Sequence, residues 1–485
     1  MDNPRIVIDN LSGGVQRKTL PSIALNHQVR HCLNGDFDDM IGAIVGRKGI
    51  LRQSVVVASD LILNIFVSKI GTARKYLAVS DDSTGPKVDV YKNGSANFGG
   101  TWSKSLEDWT TDVPIYFRNF IGKLFAFNGT DAPKSTPDHT TWSAVTNAPA
   151  GGKYPEVFQQ RLYALSESSI LHYSDTANAT GDDFDSTAWE NIQINPQDGQ
   201  QARGLVRHRN RLVVFKQDSI YRYDGSNVAG NIKDIGAHSE KGIVKHGDLF
   251  FHHPTGIYKM GGGEPINISR PIEKYLSGMS SSNYSKVAAG RDIENVYFWI
   301  GDVTINDEKD FDYNTTYSDV VLKFNVYSEN WSVYNNWNAR VFYFNTDDNL
   351  LHFGTSAGKI FKTDIGTADV DDSTTTPIDF QVVFKSFDFG FPELEKEIYG
   401  ICGIGDYDWQ LSAGGNYIES NEPENSCRSE KEDLNEPRDI EGVARIKKTI
   451  RARELWVKID QAYVEAPPVV RGLVFDNIKL LGYGK

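Results

Sequence analysis

The chain has 485 residues, room for one large core and a second domain, with 12% aromatic residues and 43 glycines. Its 64 acidic against 51 basic residues leave a net charge of −13, so the field of the whole chain opposes nonspecific binding to nucleic-acid phosphates. Cys32, Cys402 and Cys427 are odd in number, far apart and free of CxxC spacing, which excludes a disulfide framework and suggests a reducing site of synthesis.

Residues 1–55 read as an extended arm. Gly13-Gly14, Pro21, Asn34-Gly35 and Gly46-Arg-Lys-Gly49 break this stretch into short pieces. It has no basic region followed by an apolar run, and the most apolar later segment, 55–67, is interrupted by Ser59, Asp60 and Asn64. Neither a signal peptide nor a membrane span is therefore predicted.

From 56 to 370 one pattern recurs about seven times: a short apolar run, a turn with Gly or Ser, and a second run ending in an aromatic. It is clearest at Arg161-Leu-Tyr-Ala-Leu165 with Ser169-Ile-Leu-His-Tyr173, at Arg211-Leu-Val-Val-Phe215 with Ser219-Ile-Tyr-Arg-Tyr223, and at Asp248-Leu-Phe-Phe251 with Gly256-Ile-Tyr-Lys-Met260. Each copy reads as a β-hairpin. The first apolar anchors, Leu77, Leu124, Leu162, Leu212, Leu249, Val296 and Leu350, are spaced by 47, 38, 50, 37, 47 and 54 residues. A unit of that size holds about four short strands, and recurrence at roughly 40 to 50 residues predicts the blades of a β-propeller, six or seven in number. The anchors should occupy equivalent strands and bury the same face.

Residues 371–377 read as a polar linker, and 378–485 as a C-terminal β-sandwich-like module. Within it, 419–442 reads as a mobile acidic loop, with nine acids and three bases between Glu419 and Glu441. The basic run Arg445-Ile-Lys-Lys-Thr-Ile-Arg-Ala-Arg453 follows, with Arg451 and Arg453 on one strand face. It reads as a charge-guarded edge strand, or as a subunit contact through Arg445, Lys447, Arg451 and Arg453.

The chemical motifs do not assemble a catalytic constellation. Gly354-Thr-Ser-Ala-Gly358 has the letters of a nucleophile elbow, but both flanks read as strands, so Ser356 belongs to a turn. His252 and His253 are adjacent on a strand, point to opposite faces and cannot share a metal, so they read as structural. Asp182-Asp183, Asp347-Asp348 and Asp369-Val-Asp-Asp372 lack calcium-loop spacing. No cofactor and no metal are assigned. Trp331 and Trp337 read as caps between blades or, alternatively, as an exposed pair able to stack on sugar.

The layout resembles the propeller-containing nozzle, or packaged-DNA-stabilisation, proteins in the tails of short-tailed bacteriophages. The residues carrying the likeness are Gly13-Gly14, Pro21, Asn34 and Gly46-Arg-Lys-Gly49, then Val321-Leu-Lys-Phe-Asn325, Asn330-Trp-Ser332, Gly358-Lys-Ile-Phe361, Asp388-Phe-Gly390 and Phe391-Pro-Glu-Leu-Glu-Lys396. The resemblance implies a non-enzymatic virion protein forming a homo-hexameric ring. That ring would continue the DNA channel below the portal and its adaptor, with fibre or needle proteins as further neighbours. Its acidic lumen would repel the passing genome. The alternative is a tail adhesin whose propeller binds host-surface glycan; a propeller hydrolase lacks paired carboxylates, and a cellular scaffold would show tighter repeats.

Overall fold

The computed structural model describes the chain except for residues 1–4, 20–22, 58–59, 83–86, 95–96, 111, 177–188, 308–310, 407–409, 416–442, 447–449 and 482–485. The acidic loop 419–442, Lys447, Cys427, Pro21 and Asp182-Asp183 lie outside the described residues. Among those described, strands dominate and Glu273–Ser277 is the one α-helix.

Seven antiparallel blades form a β-propeller. The first five are four-stranded sheets spanning 62–110, 116–144, 153–193, 202–233 and 243–267. Blade 6 comprises Ala288–Arg291, Asn295–Thr304, Thr316–Asn325 and Trp331–Tyr334. Blade 7 has only three strands of its own, Val341–Asn345, Leu350–Gly354 and Lys359–Lys362. Its fourth is Leu51–Val55 from the N-terminal segment, antiparallel to Lys359–Lys362 with Lys359 opposite Val55.

Apolar clusters fill the seams. Leu77, Trp109, Phe117 and Leu124 lie between blades 1 and 2; Phe127, Leu162 and Trp189 between 2 and 3; Leu165, Leu205 and Leu212 between 3 and 4; Phe215, Leu249 and Tyr258 between 4 and 5. Phe250 meets Val296 and Phe324 between 5 and 6, and Trp299 meets Leu351 and Phe353 between 6 and 7. Ile62, Ile65 and Tyr76 pack on Val341 and Ile360, so blade 7 meets blade 1 and the ring closes. Sheets buried on both sides explain why the blades read as apolar runs instead of clean alternation.

All seven anchors fall in the second strand of their blades. Leu124, Leu162, Leu212, Leu249 and Val296 face the preceding blade, while Leu77 faces the following one and Leu350 is only half-buried. Their equivalents are the next residues over, Tyr76 and Leu351. A one-residue slip moves a side chain to the other face, and a blade apolar on both faces does not reveal which residue is which.

The N-terminal segment is woven through both bodies. Val29–Leu33 runs parallel to Trp331–Tyr334 of blade 6 and antiparallel to Ile378–Phe384. The blade 6 sheet thereby continues through Leu455–Tyr463 to Gln410–Gly415, eight strands in all. A second sheet is centred on Glu395–Asp406 and Val469–Leu481, joined by Ile6–Ile8, Gly35–Asp36, Ile44–Gly46, Val443–Ile446 and Ile450–Ala452. Phe380, Val382, Val457 and Ile459 share a buried cluster with Ile398, Ile401, Leu473 and Phe475, forming the sandwich. The stretch 371–377 carries the end of a small hairpin, Asp369–Asp371 with Thr374–Thr376, at the edge of blade 7.

Among the described residues, three largely buried ion pairs hold the segment. Arg17 donates to both oxygens of Asp312 at 3.0 and 2.6 Å. Asp36 pairs with Lys323 and accepts from the Tyr334 hydroxyl. Arg47 donates to both oxygens of Asp369 at 2.8 and 2.7 Å.

The register makes an expectation for stability. Leu351→Ala should lower the unfolding free energy by about 3 kcal/mol through the cavity it leaves, and Leu350→Ala by less than about 1 kcal/mol. Urea unfolding of the two variants checks this, and equal losses would contradict the register.

Candidate functional site

The first strands of successive blades surround the propeller axis. On the face carrying the links between blades, the space between them widens into a cavity of roughly 730 Å³. Lys153, Arg203, Lys241, Lys286 and Arg340 line it, against the carboxylates of Asp112, Glu167 and Glu240. A chain with excess acid thus places excess base on its axis.

Glu240 organises this charge. The Lys153 ammonium, almost wholly buried, lies 2.6 Å from Glu240 and 3.1 Å from Glu167, and the Tyr116 hydroxyl donates to Glu240 at 2.8 Å. Burial pushes the Glu240 carboxyl up, but Lys153 and the tyrosine hydroxyls outweigh it and hold the group below the ordinary range. Lys241 has less compensation: its Nζ reaches the Arg340 carbonyl at 3.4 Å. Burial, with Arg340 and Lys153 nearby, lowers its ammonium to about 8 despite Glu240. Such a cation is suited to an anion entering from the open end of the cavity.

Among the residues singled out from the sequence, Trp331 and Trp337 are not exposed. The Trp331 indole donates to the Ile268 carbonyl at 3.0 Å and packs on Phe324. Trp337 stacks on Phe353, with the Arg47 guanidinium 5.4 Å from its ring centre. Both rings are covered by segments remote in sequence, so of the two readings of this pair it is the exposed one that is corrected.

Arg451 lies on Ile450–Ala452 and donates to Glu397 from Nε at 2.9 Å and from Nη2 at 2.7 Å, so its charge is answered within its own chain. Arg453 is exposed in the following bend. Arg445 sits on Val443–Ile446, opposite Cys402.

Ser356 lies in the turn between Leu350–Gly354 and Lys359–Lys362, where its hydroxyl donates to Asn338 Oδ1 at 2.8 Å, as strand flanks require. The acidic pairs meet cations: Asp369 meets Arg47, Asp371 meets Arg52 and Lys359, and Asp347 meets Arg74.

His252 and His253 do diverge. His252 is buried, and burial, with the neighbouring histidines, lowers it to about 3. His253 faces Asp218 and His238, two residues that the sequence reading passed over. Asp218 lies in the turn between the second and third strands of blade 4, and His253 ends the second strand of blade 5, just before the matching turn. The repeat alignment holds that signal.

No family model matches the chain, and no curated protein matches it in sequence. Among solved structures it is similar to BBS1N in complex with ARL6DN, at 13% identity and a TM-score of 0.40, covering 67% of this chain and 100% of that one. It is similar also to YCF48 bound to D1 peptide, at 11% identity and 0.40, covering 68% and 97%. For the computationally designed Ika8 protein the values are 10% and 0.38, covering 65% and 100%. These likenesses concern the fold alone.

Lys241 yields a pH dependence. Between about 8 and the ordinary 10.5, the unfolded chain carries a proton that the folded chain has shed, so stability rises with pH across that window. The cost of the charge is fully present below it. Lys241→Gln should raise the thermal midpoint at pH 7, by a margin that disappears as the pH approaches 10.5. A gain independent of pH would show that the ammonium is not the source.

Proposed function

We propose that this chain is a structural subunit of a short-tailed bacteriophage tail, a nozzle protein whose copies close into a ring, six in that family. The ring continues the DNA channel below the portal and adaptor, holds the packaged genome and lets it pass at infection without sequence-specific contact. Its site of action is the virion, with the adaptor or portal-proximal proteins on one side and fibre or needle proteins on the other. The excess of acid, −13 per chain, suits a conduit along which phosphate must slide.

The observation carrying this reading is the distribution of exposed apolar side chains. Of fourteen large apolar residues exposed among those described, ten lie in the N-terminal segment or the C-terminal module: Val7, Ile23, Leu25, Met40, Ile41, Val55, Phe391, Tyr399, Val464 and Leu480. These two regions make up about a third of the chain, so the concentration is real. Ile41 is 94% exposed and Ile23 66%. Fully covering such a side chain contributes about 1.5 to 3 kcal/mol, and Ile23 with Leu25 and Met40 with Ile41 are exposed close together along the chain, as the side chains of a contact surface are. The propeller then serves as a rigid body and the woven side module as the part that joins copies. The adhesin alternative loses its support, because Trp331 and Trp337 are buried.

Electron microscopy and light scattering of the purified chain test the proposal, with a sixfold ring as the expected result and a monodisperse monomer as the contrary one. Ile41→Asp and Ile23→Asp should each shift rings toward monomers while leaving the unfolding free energy within about 0.5 kcal/mol, as exposed substitutions do. Among the basic residues Arg453→Glu is the cleaner probe, since Arg451→Glu would also set two carboxylates side by side at Glu397.

A further inference from the structure

Asp218, His238 and His253 come together from three stretches of chain. Asp218 occupies the turn between Arg211–Lys216 and Ser219–Tyr223 of blade 4, His238 the link to blade 5, and His253 the end of Asp248–His253. The Nε2 atoms of both histidines lie 3.2 Å from the same oxygen, Asp218 Oδ1, and one ligand atom from each residue falls within 4.8 Å of the others. A tetrahedral ion about 2.0 to 2.2 Å from nitrogen and carboxylate ligands spaces them roughly 3.3 Å apart. The histidine-to-carboxylate spacing already matches.

The surroundings orient the ligands. His253 Nδ1 lies 2.7 Å from the Thr255 hydroxyl, which lies 2.8 Å from the Tyr258 hydroxyl. Metal binding takes the tautomer in which Nδ1–H donates to the Thr255 hydroxyl and Nε2, facing Asp218, carries the lone pair, the second-shell arrangement common to metal-ligating histidines. The Thr255 backbone N–H, which otherwise donates to Nδ1 at 3.3 Å, gives up that contact. The two rings meet edge to face at 5.4 Å, so each directs its nitrogen to the common point without stacking on the other. His253 is nearly buried while the Asp218 side chain is half exposed, which gives an ion a wall behind it and an open fourth position toward solvent.

We infer that Asp218, His238 and His253 form a binding site for one divalent transition-metal ion of the zinc class, pinning blade 4 to blade 5. Two imidazoles with one carboxylate favour zinc, cobalt, nickel or copper over calcium and magnesium, which prefer oxygen donors. The site is independent of the proposed nozzle role, because it lies within one copy of the propeller.

The test uses the full chain freed of metal by a chelator, titrated with Zn²⁺ in a calorimeter and with Co²⁺ in a visible spectrometer. The expected result is one ion per chain, a Co²⁺ spectrum of tetrahedral type, and a thermal midpoint that rises with added Zn²⁺. His238→Ala and Asp218→Asn should each weaken binding at least about tenfold. Both residues are partly exposed, so their metal-free midpoints should stay near that of the parent chain. Thr255→Val should weaken binding by a smaller factor through the orientation of His253. Absence of Zn²⁺ binding to the parent chain, or binding that His238→Ala and Asp218→Asn leave unchanged, would overturn the assignment and leave two imidazoles that simply share a carboxylate.

Discussion

A propeller of seven blades exists here because the last blade borrows a strand. Blade 7 ends at Lys359–Lys362, and without Leu51–Val55 it would present a row of unpaired amides and carbonyls to solvent. The borrowed strand fixes the segment ahead of it, which must cross the outer edges of blades 6 and 7 to reach its place. Near the crossing, the Gly49 backbone lies so close to Ala368 that a side chain there would collide with it. The segment's own strand, Val29–Leu33, then joins blade 6 to Ile378–Phe384, so the C-terminal module is an outgrowth of the blade 6 sheet.

The ion pairs along this route follow from the weaving. Arg17, Asp36 and Arg47 are carried into an interior made by other parts of the chain, and charges there must be matched and hydrogen-bonded. Each is matched. Asp312 accepts from Tyr317 as well as Arg17, and Arg47 donates to Asn34 as well as Asp369. Burial pushes the Asp312 carboxyl up, but Arg17 holds it below the ordinary range. Replacing one partner would strand the other, so these pairs specify where the segment lies more than they add net stability.

The recurring hairpin was legible because it is local: a tight turn, an apolar second strand and an aromatic finish lie within about fifteen residues, as at Arg161 to Tyr173. Register was less so, since Leu77 and Leu350 sit among apolar neighbours on a sheet buried on both faces. The closing strand gave no signal at all. Leu51-Arg-Gln-Ser-Val55 lacks alternation and is only half-buried, and its partner lies about 300 residues away. The choice between the two readings of Trp331 and Trp337 was hidden for the same reason, because Arg47, which covers Trp337, comes from the other end of the chain. His238 stands in a link between blades, where no periodicity points to it. Asp218 in a turn of blade 4 and His253 at the strand end beside the matching turn of blade 5 are paired only once the ring is drawn.

The borrowed strand also sets a clock. Leu51–Val55 leaves the ribosome long before Lys359–Lys362, and the intervening length of about 300 residues takes roughly 15 to 60 s to synthesise at ordinary elongation rates. Blades 1 to 6 can collapse against one another during that time, each meeting the neighbour just made. The first-made strand must wait, held apart from them and from strands of other nascent chains, until the last blade arrives. Closure is therefore the final folding event of the propeller, and the interval before it is when this protein is most open to pairing with the wrong edge.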